Sequence, residues 1–304
     1  MVRKVFIDGE VGTTGLQIRE RLIARRDIAL VQLPEAHRKD RAARLDAFAE
    51  VEIAILCLPD AAVEEIAGAL AGSATRLIDA STAHRTHPDW TFGFPEMAPG
   101  QRARIAAARR VSNPGCWSTG AIALIRPLVE AGLIDPDSQP AISGVSGYSG
   151  GGKAMIEEFT SGATSGSFLY ATGQAHKHLP EIMRHGLLER PPVFVPSVGQ
   201  YAQGMAVAVA VALPGDGIAR AEEALRAHYA GESFVQVVPA GTDQPRVRPE
   251  RLNGTNRLEL SVHGNPQTGA AVLIAVLDNL GKGASGAAVQ NLNLMLGVPE
   301  GTGL

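Results

Sequence analysis

Cysteine, aromatic residues, net charge and long apolar runs are all scarce in this chain. Its two cysteines, Cys57 and Cys116, cannot build a disulfide framework, and no Cys/His cluster has zinc spacing, so no metal site is expected. A net charge of −3 carries none of the basic excess of a nucleic-acid binder. The longest apolar runs, such as Met205 to Leu213, fall short of the ~18 residues a membrane span needs. The chain passes straight into Val2-Arg3-Lys4-Val5-Phe6-Ile7 with no signal-peptide layout. A cytoplasmic protein of a reducing compartment is expected, with neither nucleic acid nor membrane as partner.

Glycine and proline are plentiful. They number 34 and 19 of 304 residues, against ordinary usage of roughly 7% and 5%, so turns and close backbone approaches are many. At ~150 residues per domain the length suits two domains or one large α/β unit. Short apolar strands alternate with helical stretches over the first hundred residues: Val5 to Ile7 then Leu16 to Arg25, Ala29 to Leu33 then Arg41 to Phe48, Ile53 to Leu58 then Val63 to Leu70, and finally Leu77-Ile78. That alternation predicts an α/β parallel sheet with crossover helices, a Rossmann-type nucleotide domain. From about Ala141 longer alternating strands take over, including Gly204 to Leu213, Phe234 to Val238, Arg257 to Val262 and Ala270 to Leu277, with few helices between them. This predicts an α+β second domain with a mixed sheet. Gly283 to Leu296 reads as a packed helix returning to the first domain, giving expected domains of 1–116 with 282–304, and 117–281.

Directly after the first strand stands Gly9-Glu10-Val11-Gly12-Thr13-Thr14-Gly15, and a helical run follows. Glycines there permit a tight turn and let backbone N–H groups face a pyrophosphate. The spacing is G-x-x-G-x-x-G rather than G-x-G-x-x-G, and an ordinary βα turn is the competing reading. Near the end of the second strand Glu35 could accept from a ribose hydroxyl, whereas Arg38 and Lys39 could hold a 2′-phosphate. A solvated charge run remains the alternative there.

Asn113-Pro114-Gly115-Cys116 precedes a helical run through Leu128, which puts Cys116 at a helix N-terminus, where the dipole and unpaired N–H donors favour a thiolate nucleophile. A small buried hydrophobe is the usual fate of such a thiol, and that is the reading for Cys57 inside the apolar run Ile53 to Leu58. Of eight histidines, His37, His84, His87, His185, His228 and His263 read as surface or packing residues. In His176-Lys177-His178-Leu179-Pro180-Glu181, Pro180 suits a first helical turn, so both imidazoles and Glu181 cluster at a helix entrance. Arg85, after Asp79-Ala80-Ser81-Thr82, and Lys153, closing the glycine-rich run from Ser146, are cations placed to hold an anion.

Gly9 to Gly15, Phe92-Gly93-Phe94-Pro95-Glu96, Asn113 to Cys116, Ser146 to Lys153, His176 to Glu181 and Asp278 to Asn291 together resemble the N-acetyl-γ-glutamyl-phosphate reductases, in their compact short-chain branch. The resemblance runs end to end; Lys177 stands where the common form has arginine. It implies Cys116 as nucleophile and His176 as acid/base, with Arg85, Lys153, His178 and Glu181 on the substrate. It further implies an NADP(H) site lined by Gly9, Gly12, Thr13, Thr14, Gly15, Arg38, Lys39, Leu58, Pro59, Ser149, Gly150, Asn279, Gly281 and Gly283. The implied reaction, in arginine biosynthesis, reduces N-acetyl-γ-glutamyl phosphate through a Cys116 thioester to the semialdehyde and phosphate, in a homodimer or homotetramer. The rival readings are an aspartate-semialdehyde dehydrogenase-like enzyme, against which the His-x-His-x-x-Glu cluster argues, and a nicotinamide-independent thiol hydrolase or acyltransferase.

Overall fold

The computed structural model describes residues 2–240 and 246–304. The chain forms two compact units, Met1–Pro114 with Ala284–Leu304, and Gly115–Gly283. Gly115, Cys116, Lys282 and Gly283 therefore belong to the second unit and not, as the expected boundaries have it, to the first. The reason is local: the Gly115 N–H is held by Glu181, and Gly283 packs on Cys116.

The first unit begins with β1 (Arg3–Asp8), α1 (Thr13–Ile23), β2 (Ile28–Val31), α2 (Arg41–Ala49), β3 (Ile53–Leu56), α3 (Asp60–Ala69), β4 (Arg76–Asp79), β5 (Thr91–Phe92), α4 (Gln101–Ala107) and β6 (Arg110–Ser112). The strands form one parallel sheet in the order β2-β1-β3-β4-β6-β5. Every residue of β3 is buried, as helices on both faces of a parallel sheet require. α2 starts where the Asp40 carboxylate accepts from the N–H groups of Ala42 and Ala43. The chain leaves β1 in one direction toward β2 and later resumes on the other side with β3, so the switch point of this doubly wound sheet lies between β1 and β3. Gly9 follows β1 there, and Cys57-Leu58-Pro59 follow β3.

Cys57 departs slightly from expectation. It lies one position beyond β3 and is half-buried, and its N–H donates to the Asp8 carbonyl at 2.8 Å.

The second unit contains α5 (Cys116–Glu130), β7 (Ala141–Gly147), α6 (Gly152–Thr160), β8 (Phe168–Leu169), α7 (Leu179–His185), β9 (Val193–Gly199), β10 (Met205–Ala212), α8 (Gly217–His228), β11 (Val235–Val237), β12 (Leu258–Asn265) and β13 (Ala270–Leu277). Its sheet runs β11-β12-β13-β10-β7-β9-β8. Pairing is parallel at β11/β12 and β7/β9 and antiparallel elsewhere, a mixed sheet. The expectation of few helices between these strands is corrected: α6, α7 and α8 all intervene. In α8, burial of Gly217, Ala221 and Leu225 follows a four-residue step of small and apolar residues, too sparse to stand out beside the strands. α5 is buried along most of its length and contains Pro127, which cannot donate to the Ala123 carbonyl one turn earlier. The Tyr229 hydroxyl donates to that carbonyl instead, at 2.9 Å.

The chain ends with α9 (Gly286–Leu296) in the first unit, where Ala288, Val289, Leu292, Met295 and Leu296 pack with Val5, Ile7, Ile53, Ile55 and Ile78. Gly281–Ser285, expected to begin this helix at Gly283, winds as one π turn, with the Gly283 N–H on the Asp278 carbonyl at 3.0 Å.

Candidate active site

Cys116 is the first residue of α5, and its N-cap is Gly115, which offers no side chain to the helix start. Helical geometry leaves the first N–H groups of α5 without carbonyl partners inside the helix. The N–H of Gly115 has its own acceptor, Oε2 of Glu181, at 3.2 Å. Glu181 is 1% exposed and sits in the first turn of α7, behind Pro180. A Cβ on Gly283 would lie 2.7 Å from the Cβ of Cys116, so only glycine fits against the thiol residue.

Tyr170 lies just past β8, within electrostatic reach of Cys116. Burial pushes the phenol well above its ordinary ionisation, the Cys116 charge pushes it further, and a hydrogen bond with Trp117 pulls the other way. Tyr170 therefore stays a protonated donor. Its ring meets His176 edge-on at 5.7 Å, and His176 in turn contacts the rings of His178 at 4.7 Å and Phe194 at 4.9 Å. Phe194 packs edge-on against Trp117 at 5.4 Å, which ties the histidine loop to the residue next to the thiol. The His178 N–H donates to Nδ1 of His176 at 3.1 Å. That contact makes Nδ1 the acceptor and leaves the proton of the neutral ring on Nε2. Nε2 of His178 lies 3.9 Å from Oε1 of Glu181.

The loop carrying His176 is held by Gln174. Its amide donates to the Phe194 carbonyl and accepts the Phe194 N–H, both at 2.8 Å, copying a strand partner for β9. Gln174 and Ala171 both adopt the left-handed region, with φ of 57° and 50°, a cost accepted in loops that position functional groups.

Elsewhere in the second unit Ser149, Gly150 and Asn279 come together. Asn279 donates to the Ser149 hydroxyl at 3.0 Å and accepts the Gly204 N–H at 2.7 Å. A Cβ on Gly150 would approach the Ser146 hydroxyl and the Asn279 amide. Gly281 presses on the Thr255 carbonyl. Lys153 is exposed in the first turn of α6.

In the first unit, Arg85 is buried and donates from Nε to the Asn113 carbonyl at 3.0 Å. Asn113 is fixed further by its amide donating to the Ala284 carbonyl and its Oδ1 accepting from Asn291. The turn before Arg85 is organised by Asp79, which accepts from the Ser81 N–H and pairs with Nδ1 of His84 at 2.8 Å; His84 stacks on Trp90, the packing role expected of it.

A cavity of about 500 Å³ opens at the β1/β3 switch point, lined by Gly9, Glu10, Leu33, Arg38, Lys39 and Leu58 among others. A Cβ on Gly9 (φ +88°) would lie 2.3 Å from the Cys57 carbonyl, and one on Gly15 would lie 2.4 Å from the Gly9 carbonyl. The loop is thus drawn tight against the strand ends. Gly12 caps α1, with Thr13 and Thr14 in its first turn, and Pro59 caps α3. This cradle, an apolar wall and two cations at its rim fit the adenosine half of a dinucleotide.

Residues 31–105 match the semialdehyde dehydrogenase NAD binding domain, and residues 116–279 match the semialdehyde dehydrogenase dimerisation domain. The chain is 50% identical to the N-acetyl-gamma-glutamyl-phosphate reductase of Brucella ovis, over 98% of this chain and 100% of that one. The chain belongs to this reductase branch of the semialdehyde dehydrogenases. Its fold is shared with the aspartate semialdehyde dehydrogenase of Francisella tularensis (TM-score 0.74, 16% identity, 97% and 100% of the two chains). A Candida albicans aspartate semialdehyde dehydrogenase solved with NADP superposes with TM-score 0.67 at 14% identity, over 97% and 99% of the chains.

For a semialdehyde dehydrogenase the constellation around Cys116 contains residues that sequence reasoning passed over. Tyr170 and Gln174 carry no local signal, since both lie in an irregular loop and reach their partners only through β9. Away from Cys116, in the glycine loop of the first unit, Glu10 did carry one: a carboxylate inside a turn of the kind that faces a pyrophosphate is anomalous. Among the described residues no group of His, Cys, Asp and Glu is arranged to hold a metal ion, and no described helix is long and apolar enough to cross a membrane.

Proposed function

We propose that this chain reduces N-acetyl-γ-glutamyl phosphate to N-acetyl-L-glutamate 5-semialdehyde and phosphate, with NADPH as reductant and Cys116 as nucleophile. The observation that carries the reading is the placement of Cys116 at the start of α5 with Gly283 packed against it. The thiolate attacks the carbonyl carbon of the acyl phosphate, the C–S bond forms, and the C–O bond to phosphate breaks with its electron pair on the departing phosphate. N–H groups of the first α5 turn stabilise the oxyanion. Arg85 is the cation assigned to the phosphate.

The cofactor, when bound, supplies a hydride to the thioester carbon. His176, assigned as the acid/base, passes a proton to the resulting thiohemiacetal oxygen and accepts it again as the C–S bond breaks and the aldehyde leaves. Tyr170 donates to the thiolate or the oxyanion. His178 and Lys153 are assigned to the carboxylate end of the substrate. Glu181 orients the nucleophile through Gly115 with one oxygen, and its other oxygen, beside His178, is assigned with that histidine to the substrate. In the first unit Gly9 to Gly15, Arg38, Lys39 and Leu58-Pro59 are assigned to the adenosine half of the dinucleotide, and in the second unit Ser149, Gly150, Asn279 and Gly281 are assigned to cofactor binding. The family description of the second unit supports self-association as a dimer or tetramer, and a cytoplasmic location fits a biosynthetic reductase.

Phosphate-dependent NADP reduction, run with N-acetylglutamate semialdehyde beside aspartate semialdehyde, tests the assignment. Turnover of the first alone is expected, and preference for the second would overturn it. Cys116→Ser should abolish turnover with NADPH affinity largely intact; a near-native rate would refute the covalent step.

A further inference from the structure

Glu10 stands within the glycine loop, next to the glycine that seals the turn on β3, and its carboxylate is turned into the charged rim of the switch-point cavity. Two cations and an amide converge on it. Nη2 of Arg38 lies 3.2 Å from Oε1, while the Gln32 amide donates to Oε2 at 2.9 Å and Nε of Arg19 lies 3.5 Å from the same oxygen. The Glu10 side chain is 12% exposed and Arg38 39% exposed. Arg38 is therefore the outer, accessible member of a pair whose inner member is an anion. The neighbouring carboxylate, Asp8, is matched by Arg44 at 2.6 Å and has no part in this contact.

Arg38 and Lys39 are the cations on this cavity's lining. A ribose 2′-phosphate reaching Arg38 has to share the guanidinium with Glu10 or displace it, and either arrangement leaves two anions only a few ångströms apart. A 2′-hydroxyl meets no such opposition and can donate to the same carboxylate.

We propose that Glu10 sets the balance between NADP and NAD: its carboxylate competes with the 2′-phosphate for Arg38 and keeps the preference for the phosphorylated cofactor below what Arg38 and Lys39 alone would produce. The inference rests on the reading of this cavity as the adenosine site of a nicotinamide dinucleotide.

Calorimetric titration of the full-length protein with NADPH, NADH and adenosine 2′-monophosphate tests it, using wild type, Glu10→Gln, Arg38→Ala and the double variant. Partial exposure of Arg38 moderates the expected effect. Glu10→Gln should tighten NADPH and adenosine 2′-monophosphate by about tenfold and move NADH by less than about twofold. The gain should vanish when Arg38 is already alanine, because the competition is then gone. Circular dichroism checks that each variant folds, and Glu10→Ala replaces Glu10→Gln if the latter does not. An equal shift for NADPH and NADH, a weaker NADPH complex, or a gain that persists without Arg38 overturns the role of Glu10. Failure of every nucleotide to bind wild type overturns the cofactor reading beneath it.

Discussion

The main-chain N–H of Gly115 and the buried carboxylate of Glu181 meet at 3.2 Å, and this one contact ties the first turn of α5 to the first turn of α7. It fixes the peptide that precedes Cys116 from a residue 66 positions away. Removing the acceptor strands a buried N–H, which costs about 1–3 kcal/mol. Glu181→Ala should lose that much in chemical denaturation and lower kcat, whereas Glu181→Gln, which keeps an oxygen acceptor, should recover most of both. A Glu181→Ala protein with native stability and kcat would show that the contact positions nothing.

Tyr170 stays protonated because burial and the Cys116 charge both oppose its ionisation. It therefore keeps a proton to donate, as the proposed mechanism requires. Tyr170→Phe should cut kcat/KM by about tenfold, the scale of one hydrogen bond to a charged group, with thermal stability nearly unchanged. The alkaline limb of the pH profile should not move, since the phenol does not titrate there. A displaced limb would assign Tyr170 a different part.

Two glycines predict opposite outcomes for the same substitution. A methyl on Gly283 would collide with Cys116, so Gly283→Ala should cost about 1–3 kcal/mol by overpacking. With Cys116 as the proposed nucleophile, displacing it should also lower kcat by on the order of 10²-fold. Gly68 lies inside α3 with nothing within 4 Å of its would-be Cβ. Gly68→Ala should stabilise by about 0.5–1 kcal/mol through helix propensity and a less flexible unfolded chain. Thermal melts of the two variants, with kinetics on the first, decide both.

Cys57 and Cys116 should separate cleanly by chemistry. Burial pushes the Cys57 thiol up to about 12, and the carboxylates of Asp79 and Asp8 add to the rise. At pH 8 roughly one molecule in ten thousand then carries a Cys57 thiolate, so iodoacetamide should spare it. Peptide mass spectrometry should find label on Cys116 in the wild type and none in Cys116→Ser. Labelling of Cys57 should grow only as the pH climbs toward its raised value. Prompt modification of Cys57 at neutral pH would contradict its environment.

The strand alternation of the first unit was legible because each parallel strand is a short apolar run and each crossover helix an amphipathic one, signals that live within a dozen residues. The ends of those elements shifted by only a few positions: β3 closes at Leu56 before Cys57, and α9 begins at Gly286 after a π turn that its glycines allow. Among the elements that the apolar pattern did not mark, β5 has only two residues, and α8 has small residues where larger apolar ones would mark a helix face.

What the sequence alone determined is the set of chemical parts whose signals are local: a glycine turn between a strand and a helix, a cysteine at a helix start, and a histidine pair before a proline-led helix. Backbone sterics and helix-end polarity decide such features from neighbouring residues. Only the tertiary structure decided that Glu181 serves Gly115, that Gly283 makes room for Cys116, that Gln174 pins the histidine loop to Phe194, and that Glu10 already holds Arg38. Those pairings join residues far apart in the chain, and it is packing, not pattern, that selects them.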